Sequence, residues 1–151
     1  MKFLFRLESV LILRATREKE AQENYARTAA ALARAERDLS DARAELERLH
    51  EVLESSRGGR SSKNDQIIAL NAIGYQQSVC DRKAERFAHA QTESQARLQD
   101  LVTAKRAREI LERLRAKQQA KHRLEVERQE QIAVDDIVMA KFARKASEVT
   151  A

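Results

Sequence analysis

The residues able to carry chemistry in this chain are few and scattered. His50, His89 and His122 stand far apart and form no cluster with one another or with Cys80, so each reads as a surface residue of a helix rather than a ligand. Cys80 is the single cysteine. It falls on an apolar seam described below, and a small buried hydrophobe is the stronger reading there than a reactive thiol. Gly58 and Gly59 precede Arg60 without the Gly-x-x-x-x-Gly-Lys spacing of a phosphate loop. Asp135 and Asp136 adjoin each other on a stretch that reads as exposed helix, where no cleft would shift their pKa values. No catalytic, cofactor or metal site is therefore expected, and the chain reads as a non-enzyme.

One charged constellation is denser. Between residues 105 and 123 stand Lys105, Arg106, Arg108, Arg113, Arg115, Lys117, Lys121 and Arg123, against Glu109 and Glu112. A basic helix of this kind can neutralise phosphates. These side chains are spread around the helix and lack interleaved aromatics for base stacking, so an acidic protein partner or a solvated face is favoured over specific nucleic-acid binding.

The elements that must carry these residues follow from composition. In 151 residues there are no prolines, 3 glycines and no tryptophan, with 35% charged and 4% aromatic residues. That is the signature of long helices rather than of a strand-containing enzyme domain. The stretch from Met1 to Leu13 is not expected to be a signal peptide, since Arg6 and Glu8 interrupt its apolar run and no small-residue cleavage site follows. No apolar run approaches the length of a bilayer span. With one cysteine and no export signal, a reducing cytosol is the expected compartment.

The helix breakers concentrate between Ser55 and Asn64, which includes Gly58 and Gly59. This predicts an all-α fold, a long antiparallel two-helix coiled-coil hairpin in one domain. Helix 1 is expected over about 4–55, a turn over about 56–64, and helix 2 over about 65–146. Ser62, with Asp65 three residues on, is a possible N-cap, and Asn64 is a rival. Positions 4, 7, 11, 14, 18, 21, 25, 28, 32, 35, 39, 42, 46, 49 and 53 step by three and four and are apolar except at Arg14, Glu18 and Thr28. This is the 3.5-residue repeat of a coiled-coil seam. A weaker seam, 66, 70, 73, 77, 80, 84, 87, 91, 94, 98 and 101, follows the turn, and beyond it the register shifts to reach Ile110, Leu111 and Leu114. Folding back at residue 60 sets the rich halves of both seams together and the poor halves together. About 30 residues of the longer helix 2 are then left over with no internal partner, and a helix in that state needs a docking partner.

Two residues stand out on this frame. Gly74 inside helix 2 is either tolerated opposite Leu46 or a point where a partner approaches, the former being favoured. Phe142, a lone aromatic on the leftover stretch, reads as a partner anchor.

Phe5-Arg6-Leu7 with Val10-Leu11 and Leu13-Arg14, Tyr75-Gln76-Gln77, Glu130-Gln131, Asp135-Asp136 and Phe142-Ala143-Arg144, in this order and at this spacing, resemble the flagellar FliJ family over the whole chain. The YscO-type proteins of virulence secretion share the plan, and the Glu-Gln and Asp-Asp ending favours the flagellar branch. The resemblance implies a cytoplasmic component of the flagellar type III export apparatus, peripherally associated with the basal body. It further implies a rod like the central stalk of rotary ATP synthases, which binds and stimulates a hexameric export ATPase and contacts the cytoplasmic domain of the export gate protein and export chaperones. Carried over by position, the ATPase-binding end comprises Phe5, Arg6, Leu7, Val10, Leu11 and Arg14 with Glu127, Arg128, Glu130, Gln131, Asp135, Asp136 and Phe142. Tyr75 falls on the gate-contacting side, where Ser78 stands at a position expected to be bulky and apolar. The competing readings are a YscO-type stalk and a generic structural coiled coil that dimerises through its seam.

Overall fold

The computed structural model describes residues 2–59 and 61–149, so Arg60 of the expected turn lies outside the described residues. Two helices account for nearly all of them: α1, Glu8–Arg57, and α2, Lys63–Val149. Arg17–Ala104 forms one compact unit, and Met1–Thr16 together with Lys105–Ala151 forms a second.

In the Arg17–Ala104 unit, α1 and α2 pack antiparallel. The Gln76 side-chain amide donates to the Ala42 carbonyl at 2.9 Å, and Lys83 Nζ meets Asp38 Oδ2 at 3.4 Å. Both pairings are those required by a fold-back near residue 60. The turn is made as its residues suggest. Gly58 and Gly59 end α1, and Ser62 caps α2, its Oγ accepting from the Asn64 amide while its own amide donates to Asp65 Oδ2. This reciprocal pair is a capping box with aspartate at the third helical position, and it satisfies donors that a helix start would otherwise leave open. Asn64 is inside the helix and is not the cap.

The α1 seam holds throughout the helix. Every expected position from Leu11 to Leu53 is at least half-buried, and Leu11, Glu18, Leu39, Ala42 and Leu53 are buried outright. The α2 seam is half corrected. Gln66, Ile73, Cys80, Phe87, Ser94 and Leu101 face inward as expected, but Leu70, Gln77, Gln91 and Leu98 are exposed. The second line of contacts runs instead through Ala69, Gln76, Lys83 and Ala90. Small side chains let the helices approach, and the two polar ones bond across to α1. Further along, Leu111 and Leu114 turn inward while Ile110 is 64% exposed.

In the second unit the chain enters α1 late. The helix begins at Glu8, whose amide donates to the Phe5 carbonyl at 3.1 Å. Before it, Phe5 is buried, and the Phe3 ring sits 5.6 Å from the His122 ring of α2 at a tilt of 41°. Placing two aromatic rings outweighs the few helical hydrogen bonds forgone, each worth about 1 kcal/mol net. Leu4 and Leu7, assigned to the seam by periodicity, are exposed as a result. Glu8 then pairs with Arg115 at 3.3 Å.

Ion pairs along single helices supplement these contacts. Arg97 pairs with Asp100 and Arg108 with Glu112. The hydrogen bond from Arg48 holds the Glu45 carboxyl below its ordinary pKa, aided by the guanidinium charge.

Candidate interaction surfaces

The structure divides the thirteen residues assigned to the ATPase-binding end into two kinds. Phe5 and Leu11 are buried, and Val10 and Arg14 are half-buried, so these four are largely withdrawn from solvent. Arg6 and Leu7 are exposed. So are Glu127, Arg128, Glu130, Gln131, Asp135, Asp136 and Phe142, because every described residue beyond Val126 is exposed. The α2 stretch 127–149 is thus a helix with its whole circumference available.

That stretch carries more apolar surface than Phe142 alone. From Ile132 to Ala143, nine of twelve residues are apolar. Ile132, Val134, Ile137, Val138, Met139 and Phe142 are all between 43% and 70% exposed. Stepping by 100° per residue places them on several sides of the helix rather than on one stripe. A helix apolar on several sides is ordinarily enclosed by other protein, and contiguous exposed apolar surface marks a site of interaction. The signal was present in the sequence as the run Ile132-Ala133-Val134 and Ile137-Val138-Met139-Ala140. It is weak there because the runs are short and broken by Asp135, Asp136 and Lys141.

In the Arg17–Ala104 unit, Tyr75 is 68% exposed and stands free of the seam. A Cβ added at its neighbour Gly74 would meet nothing within 4 Å. Gly74 therefore faces open space, which removes the explanation that it accommodates Leu46. The Ser78 hydroxyl donates to the Gly74 carbonyl at 3.3 Å and is also exposed.

The remaining chemical candidates fall as follows. Cys80 is buried on the seam. His50 and His89 are exposed, whereas His122 is half-buried against Phe3 rather than a surface residue. Among the described residues no group of three or more His, Cys, Asp or Glu is placed to hold a metal ion. No described helix is long and apolar enough to cross a membrane.

With two long antiparallel helices and an exposed apolar end of α2 established, comparison with known proteins becomes decisive. The family model described as "Flagellar FliJ protein" matches residues 1–147. The chain belongs to the flagellar FliJ family. As a FliJ-family protein it is a component of the flagellar export machinery. No curated protein and no solved structure matches the chain.

Proposed function

We propose that this FliJ-family chain is a non-enzymatic, cytoplasmic rod that binds and stimulates the hexameric export ATPase, in the manner of a rotary central stalk. It links that ATPase to the export gate and to export chaperones. The observation that carries the reading is the stretch 127–149, whose apolar side chains point to several sides while every described residue is exposed. A ring of subunits is a partner that surrounds a helix, and such a helix presents a different face to each subunit. Unequal contacts can then bias the nucleotide states of the subunits, because a ligand shifts an equilibrium only through differential affinity.

In this reading Phe142, with Val138 on the same side, anchors the contact, and Arg6 and Leu7 contribute from the N-terminal segment. Phe5, Leu11, Val10 and Arg14 hold the N-terminal segment from which Arg6 and Leu7 contribute. Tyr75 is the gate contact, with the open space beside Gly74 allowing the gate's backbone to approach. Ser78 in place of a bulky residue narrows the apolar part of that contact to Tyr75.

The test is calorimetric titration of the export ATPase with the intact chain and with Phe142→Ala. A loss of at least about tenfold in affinity is expected for an anchor aromatic. Unchanged affinity for Phe142→Ala together with Val138→Ala refutes the assignment of this surface.

A further inference from the structure

Although the basic residues of α2 are spread around the helix, five of them share one face. Arg106, Arg113, Lys117, Lys121 and Arg128 lie within an arc of about 80° at about 100° per residue, and all five are exposed. Ile110, 64% exposed, and Leu124, 66% exposed, fall in the same arc. Ile110 stands between Arg106 and Arg113, Leu124 between Lys121 and Arg128, and Lys117 midway. No acid enters this arc before Asp135; Glu109 and Glu127 border it on one side and Glu125 on the other. From residue 105 to 128 nine cations stand against four acids, so the stretch stays positive with those borders counted. None of the five cations pairs with a described side chain, whereas Arg108 and Arg115, on another side, pair with Glu112 and Glu8. Phe3 and Glu8 meet α2 at His122 and Arg115, about 140–160° around the helix from Lys117, and leave the row uncovered within its unit.

We infer that this row rests on an anionic lipid bilayer. The row is about 33 Å long at about 1.5 Å per residue, and a bilayer presents phosphates along all of that length with no register to match. A protein partner needs an equal row of acids at the same spacing and a groove to receive a convex helix face. Nucleic acid meets the cations but offers nothing to Ile110 and Leu124. At a bilayer those two side chains enter the boundary between headgroups and acyl chains, while the Lys and Arg stems lie beside them and carry their charges to the phosphates. Two apolar side chains and five cations make a shallow, reversible contact that weakens as salt rises. It holds the chain on a membrane without a spanning helix. Apart from Arg128 the row precedes the stretch 127–149, so it does not rest on the proposed ATPase contact.

Cosedimentation of the full chain with sucrose-loaded vesicles, without ATPase, tests this independently of the proposed function. At about 100 mM salt the chain pellets with phosphatidylcholine vesicles containing about one-third phosphatidylglycerol, and stays in solution with phosphatidylcholine alone. Arg113→Gln and Lys117→Gln each lower the partition coefficient about fivefold, and together about 25-fold. Lys105→Gln, which removes an equal charge from an exposed position about 120° around the helix from Lys117, lowers it less than about twofold. Ile110→Ser with Leu124→Ser lowers it at least about fivefold and leaves binding to duplex DNA unchanged. All these positions are exposed on α2, so the variants keep the parent's circular dichroism. No pelleting with anionic vesicles, equal pelleting with neutral ones, equal losses for Lys105→Gln and Lys117→Gln, or full binding by the Ile110 and Leu124 double variant each overturns the inference. Tighter binding to duplex DNA than to vesicles at equal phosphate assigns the row to nucleic acid and overturns it as well.

Discussion

Replacing Leu39 and Leu70 separately by alanine separates the observed register of α2 from the one that apolar periodicity suggests. Leu39 is 6% exposed and lines a groove with Ala84 and Phe87; Leu70 is 51% exposed. Leu39→Ala removes nearly the full transfer energy of a buried leucine, about 1.5–3 kcal/mol. In closed cores a cavity contribution takes such changes to about 2–5 kcal/mol. Here the seam is two helices wide and the notch left behind opens to water, so the cavity contribution is small and the expected loss is about 2–3 kcal/mol. Leu70→Ala forgoes about half of a leucine's burial and gains slightly in helix propensity, for a net loss below about 1 kcal/mol. Urea unfolding followed by circular dichroism at 222 nm resolves the difference, provided both variants keep the parent's denaturant slope. Equal losses for the two variants, or a larger one for Leu70→Ala, would show that Leu70 is in the seam and would refute the register.

Gly74→Ala is expected to stabilise the chain by about 0.5–1 kcal/mol, since the added Cβ meets open space within a helix; a thermal melt shows it, and destabilisation would mean the site is occupied. Ser62→Ala removes the cap of α2 and should cost about 1 kcal/mol in the same assay. Gln76→Ala breaks the bond to the Ala42 carbonyl and should cost about 0.5–1.5 kcal/mol, whereas Gln77→Ala removes only an exposed bond to Asp81 and should cost no more than about 0.5 kcal/mol. Cys80, buried on the seam, should react with a thiol reagent at the rate of unfolding, and fast labelling of the folded chain would contradict its burial.

Much of the fold was legible because α1 carries its seam in apolar side chains. Leu11, Leu39, Ala42 and Leu53 are where a 3.5-residue repeat places them, and even Glu18 is buried in step with it. In α2 half of the seam has no apolar signal. Lys83 and Gln76 face inward because each has a specific partner on α1, Asp38 and the Ala42 carbonyl, and a pairing of that kind becomes visible only once both helices are placed. The start of α1 at Glu8, rather than near residue 4, has a related cause. Periodicity alone continues through Leu7 and Leu4, but the Phe3 ring meets His122 of α2 and the Phe5 ring is buried, neither of which a local pattern registers. Of the candidate surface, Phe142 and the acidic pair were legible as single residues. The encircling apolar character of 132–143 became a feature only when the stretch was found exposed on every side.

The central claim, that the end of α2 works on the export ATPase, is tested most directly by steady-state ATP turnover of that ATPase with the intact chain and with a chain ended after Val126. That truncation keeps Phe5, the Phe3–His122 contact and the Glu8–Arg115 pair, and removes only the fully exposed stretch. The account predicts stimulation by the intact chain and its loss with the shortened one, while the helical signal per residue of the remainder is kept. Full stimulation by the shortened chain would contradict it.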